Sequence, residues 1–286
     1  MINLKITKAI FPRLPLLATI FSGVMISSNC YSNDISHNVR SNIQQESDSE
    51  NYLEMGIMHR VTDESTFIGR SHYSNTSFFV NGSYSWNGLF VESYSESGHG
   101  VVFGYDVFSN NDWSLDIIAT TDWGKASFEN NGRYNDDSAL TVGARLSGYL
   151  GNNTLQFAIN QDATGDHNGT TISALIGRSW QFRNWNFHGI IGAEYASAKL
   201  NHFYAGVSKE QAEYLTNSGK EFSAYNAGAS VHFSTELGVT YPISEDWVFR
   251  ATARAVTRPS EITDSPRYPN MDSLATSFRT SISYVF

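Results

Sequence analysis

Residues 225–241 read YNAGASVHFSTELGVTY, and apolar and polar side chains alternate along most of the stretch. Val231 and Phe233 fall on one face, whereas His232 and Glu236 fall on the other. A period of two is the pattern of a β-strand, because successive side chains point to opposite faces. Strands in soluble β-sandwiches are usually about five or six residues long. The length of this stretch therefore predicts a strand that crosses a membrane.

The chain ends with a second alternating stretch, at residues 273–286. Its apolar face resembles the C-terminal signature by which the outer-membrane assembly machinery recognises bacterial barrel proteins. The alternative is an ordinary edge strand that ends in phenylalanine by chance. The residues of this predicted assembly signature are Phe278, Ile282, Tyr284 and Phe286.

Two tryptophans indicate the height of an apolar band. Trp113 and Trp123 lie on one face of a third alternating stretch, about 33 Å apart along an extended chain. At a strand tilt of roughly 40° this spacing projects to about 25 Å, the height of the apolar band between the aromatic girdles of an outer-membrane barrel. The expected aromatic girdle contains Trp113, Trp123, Tyr225 and Tyr241.

The composition agrees with an apolar exterior. Charged residues make up 16% of the chain and aromatic residues 14%, whereas about a quarter of the residues of soluble domains are charged. The formal net charge is −9, which argues against nucleic acid as a partner because its phosphates attract basic surfaces. We expect lipid of the outer membrane as the surrounding partner.

These patterns predict an all-β fold, a transmembrane antiparallel up-and-down β-barrel of about 12 strands, with 10 to 14 left open. It should occupy residues 51–286, be monomeric, and place short turns and both termini in the periplasm of a Gram-negative cell. The predicted strands lie at 51–61, 77–86, 88–95, 99–108, 112–123, 138–150, 153–162, 169–182, 185–198, 225–241, 247–258 and 273–286.

The first 32 residues have the features of a secretory signal peptide. Basic residues precede a mostly apolar run from Leu14 to Ile26, and small residues follow. Cleavage near Ser32 would remove the single cysteine, Cys30, and three basic residues, which changes the net charge from −9 to −12. Lipidation of Cys30 is the alternative. Residues 33–50 lack periodicity and are expected to form a flexible periplasmic tail.

The polar face of the predicted strands would line the lumen and carries several charged side chains. One interpretation is a charge network that fills a narrow barrel. The other is a constriction or solute path with a preference for anions. The predicted lumen charge cluster contains Arg250, Arg254, Arg258, Arg279, Glu236, Glu194, His232 and His188.

No sequence motif indicates catalysis. The chain contains neither Gly-x-Ser-x-Gly nor His-Glu-x-x-His, the spacings of a common nucleophile turn and of a common zinc site. Asp162, Asp166 and His167 could hold a cation, although such turns are usually structural. We expect no catalytic residues, no metal and no cofactor.

A predicted outer loop at residues 199–224 carries the most distinctive motif. It reads NHFYAGVS from Asn201 and continues into Lys209-Glu210-Gln211-Ala212, a predicted short helix capped by Ser208. The motif resembles a segment of the MipA/OmpV family of outer-membrane proteins, in which Ala205 would be tyrosine. The residues that carry this likeness are Asn201, Phe203, Tyr204, Gly206 and Val207.

The resemblance implies an outer-membrane protein without enzymatic activity. Members of the family are described as scaffolds that join a lytic transglycosylase to a murein synthase, and others as adhesins. Three functions stay open at this point. They are an interaction protein of either kind, a narrow and anion-leaning porin, and an outer-membrane lipid hydrolase.

Overall fold

The computed structural model describes residues 35–41, 51–66, 69–96, 100–122, 127–128, 134–135, 139–217 and 223–286. Its strands are β1 (Tyr52–Thr66), β2 (Gly69–Trp86), β3 (Leu89–Ser93), β4 (Val101–Ser109), β5 (Trp113–Asp122), β6 (Ser127–Phe128), β7 (Tyr134–Asn135), β8 (Ala139–Leu150), β9 (Asn153–Asp162), β10 (Thr170–Phe182), β11 (Trp185–Ala196), β12 (Ser230–Pro242), β13 (Trp247–Thr257) and β14 (Leu274–Val285). Twelve of these described strands close into a barrel, and β6 and β7 form a separate hairpin. Neighbouring barrel strands are antiparallel, and β14 pairs with β1. The predicted twelve-stranded antiparallel barrel is confirmed.

The barrel wall is apolar outside and polar inside. Ile57, Phe78 and Leu237 point outward and are 59%, 66% and 65% exposed. Glu54 and Asn81 point inward from β1 and β2 and are fully buried. This arrangement is the inverse of a soluble protein, and it is stable where lipid surrounds the barrel.

One end of the barrel carries the tight turns. Asn87 and Gly88 connect β2 to β3 with φ values of 50° and 80°, the left-handed pair that a two-residue hairpin favours. The first and last strands also meet here, where the Phe286 amide donates to the Leu53 carbonyl at 3.0 Å. Outer-membrane barrels have short turns in the periplasm and longer loops outside. By this rule we call this end the periplasmic end and the opposite one the outer end.

Three strands differ from their predicted bounds by more than two residues, and the first of them, β1, ends at Thr66 rather than at 61. β2 begins at Gly69 rather than at 77, because β1 and β2 stay paired as a long hairpin up to Thr66. β12 begins at Ser230 rather than at 225. The side-chain amide of Asn201 donates to the Gly228 carbonyl at 2.7 Å. The backbone before β12 therefore bonds to the 199–224 segment instead of to a neighbouring strand.

The described residues also contain four helices, α1 (Ile35–Ser41), α2 (Ala198–Ala205), α3 (Lys209–Asn217) and α4 (Ser260–Thr263). In this part of the chain, no helix has both the length and the apolar character needed to cross a membrane. Helix α3 confirms the prediction made for the residues after Ser208. The Gln211 amide donates to Ser208 Oγ at 3.1 Å, and the Ser208 amide donates to Gln211 Oε1 at 3.0 Å, a reciprocal helix cap.

Candidate functional site

Helix α1 lies inside the barrel, in contact with β9, β10, β11 and β12. The side chains of His37, Val39 and Arg40 are 2%, 3% and 5% exposed. The flexible tail expected at 33–50 is therefore wrong for residues 35–41, and the rest of that segment lies outside the described residues. A helix this short is not stable alone in water. It forms here because the barrel wall packs around it.

A buried ion pair holds α1 to the wall. Arg40 Nε donates to Glu236 Oε1 at 2.6 Å, and a terminal guanidinium nitrogen donates to Oε2 at 2.9 Å. His188 Nε2 lies 3.3 Å from the same Oε1. Two-point contact is the strong form of an arginine–carboxylate pair. Removing one partner of such a buried pair typically costs about 3–5 kcal/mol.

The wall is shaped to receive the helix. Thr240 Oγ1 donates to the Arg40 carbonyl at 2.9 Å, which satisfies one of the carbonyls that a helix end leaves open. Val39 packs against Gly177, where an added Cβ atom would lie only 2.9 Å from Val39 Cγ2. The glycine therefore provides the space that α1 occupies.

Helix α1 also reaches the opposite wall. His37 stacks on Tyr94, with ring centroids 4.3 Å apart and ring planes 14° apart. Tyr94 directly follows β3, which lies half-way round the ring of strands from β11 and its His188. Asn38 donates to the hydroxyl of Tyr149 on β8 at 3.3 Å. The helix thus bridges the lumen from one side to the other.

A second buried network joins the first and last strands. Glu54 on β1 accepts hydrogen bonds from Arg250 on β13 and Ser283 on β14. Asn81 on β2 donates to its other oxygen at 3.1 Å. One carboxylate therefore connects four neighbouring strands where the barrel closes on itself.

A third network crosses the wall on the other side. Arg145 on β8 donates to Asp116 on β5 at 3.1 Å and also to Glu92 on β3. All three side chains are buried. The lumen wall beside α1 is therefore packed by paired charges, as the first interpretation of the lumen charges proposes.

A cavity of about 140 Å³ lies on the outer side of Arg40. Glu194, His232 and Arg254 line it, and Glu194 Oε1 lies 3.5 Å from His232 Nε2.

The structure divides the predicted lumen charge cluster. His188 and Glu236 hold α1. Arg250 belongs to the network around Glu54 that joins the first and last strands, which we call the closing seam. Glu194, His232 and Arg254 line the cavity. Arg279 lies opposite Arg60, which the sequence analysis did not single out. Arg258 lies apart, at the outer end, where it donates to the Asp272 carbonyl at 3.2 Å.

The family-like loop forms a lid with residues 259–272 at the outer end, and we call α2, α3 and 259–272 the outer lid. The Tyr204 carbonyl accepts hydrogen bonds from Arg267 and Tyr268, both at 3.0 Å. The carbonyl of the fully buried Ala205 accepts one from Ser265 at 2.5 Å. The departure at Ala205 therefore falls inside a packed contact.

The other motif residues also have structural roles in the lid. Phe203 packs against His167 with ring centroids 5.4 Å apart. A Cβ atom at Gly206 would lie 2.3 Å from the His202 carbonyl oxygen, so only glycine fits. Val207 forms an isolated β-bridge with Tyr225.

Tyr225 lies against the outer lid, where it pairs with Val207, and is not the girdle residue that the alternation predicts. Its hydroxyl donates to the Glu261 carbonyl at 3.1 Å. Burial raises the pKa of the Tyr225 phenol, and the negative charges of Asp264 and Glu261 raise it further. Burial also raises the pKa of Tyr268, which Arg267 partly offsets. Both phenols therefore stay protonated, as hydrogen-bond donors must, beyond their ordinary range.

Alkali is expected to loosen the outer lid. A phenolate cannot donate, so these two contacts are complete below pH about 10, the ordinary tyrosine pKa, and are lost as pH rises through the raised values. Subtilisin digestion across this range should cut the lid only above pH about 10. In the double variant Tyr225→Phe/Tyr268→Phe, subtilisin should cut the lid to the same extent at all these pH values. The variant Tyr214→Phe, on exposed α3, should behave as the unmodified protein. Lid cleavage that does not depend on pH in the unmodified protein would contradict this.

Hydrogen bonds organise the turn after β9. Asp162 Oδ2 accepts hydrogen bonds from the amides of His167 and Asn168 at 2.8 and 2.7 Å. Thr164 donates to Asp166 at 2.6 Å. In the described residues, no group of three or more acidic, histidine or cysteine side chains forms a cation site. These carboxylates shape the turn.

Aromatic rings gather outside the barrel at its periplasmic end. Trp185 and Tyr241 lie with centroids 4.5 Å apart, and Tyr284 contacts both Trp247 and Phe286. Trp113 begins β5 at the same end, and Trp123 lies outside the described residues. Phe278, Ile282 and Phe286 of the assembly signature are 49%, 48% and 68% exposed.

Three solved outer-membrane proteins are similar to this chain in structure. The solved KdgM porin in complex with disordered oligogalacturonate is 11% identical, with a TM-score of 0.43 over 82% of this chain and 99% of that chain. OprD from Pseudomonas aeruginosa is 15% identical, with a TM-score of 0.36 over 84% and 66%. OmpT of Vibrio cholerae is 8% identical, with a TM-score of 0.39 over 82% and 97%. No curated protein sequence matches significantly. The sequence model of the family described as MltA-interacting protein MipA matches residues 60–286.

Proposed function

The chain belongs to the MipA family of outer-membrane β-barrels, and from that premise we propose that it is a non-enzymatic scaffold that binds murein-remodelling enzymes at its periplasmic end. The observation that carries the proposal is α1. Arg40 holds the helix to β12, and His37 packs it against the opposite side of the lumen. A barrel filled in this way is suited to present surfaces and not to pass solutes.

The surface at the periplasmic end is acidic. Among the described residues of the periplasmic turns, Asp112, Glu245 and Asp246 are exposed carboxylates and Arg183 is the one cation. In the sequence, residues 42–50 between α1 and β1 contain three acidic residues and no basic one. Complementary charge speeds association and selects partners. We therefore propose a partner with a basic surface.

The family description names MltA as a partner. For this chain we propose an enzyme of that kind, a lytic transglycosylase, together with the murein synthase that the family resemblance implies. Anchoring of the complex by the barrel would keep cutting and synthesis of murein at one place under the outer membrane. An adhesin would instead use the outer lid.

Pull-down from crosslinked envelopes tests the scaffold. The tagged chain should recover a murein enzyme, and Asp112→Lys/Glu245→Lys should reduce that recovery about tenfold, because reversed charges repel a basic partner at a cost of more than about 1.4 kcal/mol. Glu210→Lys/Glu213→Lys makes the same charge change on α3 and should leave recovery unchanged. Recovery of no murein enzyme, or loss of recovery only with the α3 variant, would contradict the proposal.

A narrow channel is the second candidate, and the cavity beside Arg254 favours it. A channel predicts an anion-leaning current in planar bilayers that falls with Arg254→Gln. A silent bilayer would argue against it. Release of fatty acid from phospholipid by the purified protein would instead support the lipid hydrolase and overturn the non-enzymatic scaffold.

A further inference from the structure

Three arginines face one region of the lumen from consecutive strands. Arg60 on β1 lies directly opposite Arg279 on β14. Arg254 on β13 pairs with Ser277, two residues from Arg279 on the same face. Directly opposite residues in a sheet have Cβ atoms about 5 Å apart, and diagonal neighbours lie within about 8 Å. The three guanidinium groups can therefore reach one ligand.

All three side chains point inward. Arg60 alternates with the outward Ile57 and Val61 and shares the face of the buried Met58. Arg279 lies between the outward Phe278 and a threonine on β14, on the face of the buried serines of that strand. Arg254 lines the cavity itself. The cluster therefore belongs to the lumen and not to the lipid surface.

The nearby carboxylates already have partners. Glu236 binds Arg40 and His188, and Glu194 lies against His232. Glu96 accepts from Asn81 at 3.2 Å. Among the described side chains, which leave out those of residues 63–73, no carboxylate lies within ion-pair distance of the three arginines. Arg279 lies within the electrostatic reach of two other arginines, Arg60 and Arg40, and also of the carboxylates of Glu96 and Glu236, which their own partners already engage.

Such an arrangement is costly without a counter-ion. Like charges placed directly opposite each other destabilise a sheet, and arginine cannot lose its proton in a protein. A planar guanidinium binds carboxylate and phosphate groups in a two-point geometry. A cluster of three guanidinium groups is therefore suited to bind an anion with oxygen atoms at its periphery.

The adjoining cavity has the size and polarity for such an anion. Its volume of about 140 Å³ corresponds to roughly ten water molecules. Ser173, Ser234 and Gln156 add hydrogen-bonding groups to its lining. We propose that Arg60, Arg254 and Arg279 bind a small oxyanion with two or more negative charges, a phosphate or a polycarboxylate, in the lumen. This site does not depend on the scaffold role.

Calorimetric titration of the full chain in nonionic detergent tests the site, with inorganic phosphate and citrate as separate probes in chloride-free buffer. At least one probe should bind, and Arg60→Gln and Arg279→Gln should each weaken binding about tenfold or more, as expected when one charge-assisted contact is lost. Arg183→Gln, in an exposed periplasmic turn, should bind as the unmodified chain does. The tighter of the two probes identifies the class of oxyanion.

Thermal unfolding separates binding from a structural role. Without anion, Arg60→Gln and Arg279→Gln should raise the unfolding midpoint, because each removes one member of a like-charged pair, and phosphate or citrate should no longer raise it further. Arg60→Lys keeps the charge and should retain weaker binding. The proposal is overturned if neither probe binds, or if the glutamine variants lower the midpoint and leave binding unchanged.

Discussion

Arg40→Glu is expected to drive α1 out of the lumen and to open a current through the barrel. The change places a second carboxylate where Arg40 now contacts Glu236 at 2.6 Å. Loss of the ion pair alone costs about 3–5 kcal/mol. The hydrogen bond to the Arg40 carbonyl contributes about 1 kcal/mol, and burial of Val39 about 1.5–3 kcal/mol. The free energy lost with the ion pair, together with the repulsion between the two carboxylates, should exceed the stabilisation from the hydrogen bond and the burial of Val39.

Single-channel recording in planar bilayers measures this effect. The unmodified chain should be silent, and Arg40→Glu should give discrete openings. Combining Arg40→Glu with Glu236→Arg exchanges the charges and should restore silence. Lys209→Glu makes the same charge reversal on the exposed α3 and should have no effect. If Arg40→Glu stays silent while Gly177→Val, which displaces Val39 by volume, opens the barrel, the ion pair does not hold the helix.

Glu54→Ala is expected to be the most destabilising single substitution in the barrel wall. It leaves Arg250 buried without its carboxylate and removes the acceptor of Ser283 and Asn81. Removal of one partner of a buried ion pair costs about 3–5 kcal/mol. Because these residues join β1 to β14, the loss falls on the step that closes the barrel.

Urea unfolding in lipid vesicles gives the free energy of unfolding for this comparison. Glu54→Ala should lower it by about 3 kcal/mol or more and slow refolding. Glu245→Ala, in an exposed periplasmic turn, should change it by less than about 0.5 kcal/mol. A small effect of Glu54→Ala, matched by that of Glu245→Ala, would show that the seam does not depend on this carboxylate.

Periodicity predicted the barrel because the cause is local. Each outward residue of β12 and β14 faces lipid and each inward residue faces the lumen, so the sequence of a single strand shows the alternation. The same reasoning failed at Tyr225, where apolar alternation continues but Asn201 draws the backbone into the lid. A pattern of side chains does not show which partner the backbone finds.

The sequence of helix α1 contains no local pattern that predicts a helix. Residues 35–41 read ISHNVRS, which has a weak apolar pattern and no strong helix-forming stretch. Arg40 binds Glu236, which is 196 positions away in the sequence, and Val39 packs against Gly177. Helix α1 exists because of those distant contacts, so only the folded barrel reveals it.

The site was predicted in part for the same reason. Alternation placed Arg254 and Arg279 in the lumen, but strand register decides which of them meet. Arg60 lies in a strand that the sequence predicts, but its place in the arginine cluster follows only from its pairing with Arg279. Likewise, Arg250 belongs to the seam because Glu54 lies two strands away.

Thiol labelling of Val39→Cys in a chain that also carries Cys30→Ser tests most directly whether α1 fills the lumen. The folded barrel in vesicles is treated with a membrane-impermeant maleimide, and Asn110→Cys, in an exposed periplasmic turn, serves as the reactive control. A helix packed against Gly177 predicts a cysteine that reacts at least about a hundredfold more slowly than the control, because opening then costs about 2.7 kcal/mol or more. The same cysteine should become reactive in urea. Labelling of Val39→Cys at the rate of the control in the folded barrel would contradict the closed lumen and the scaffold argued from it.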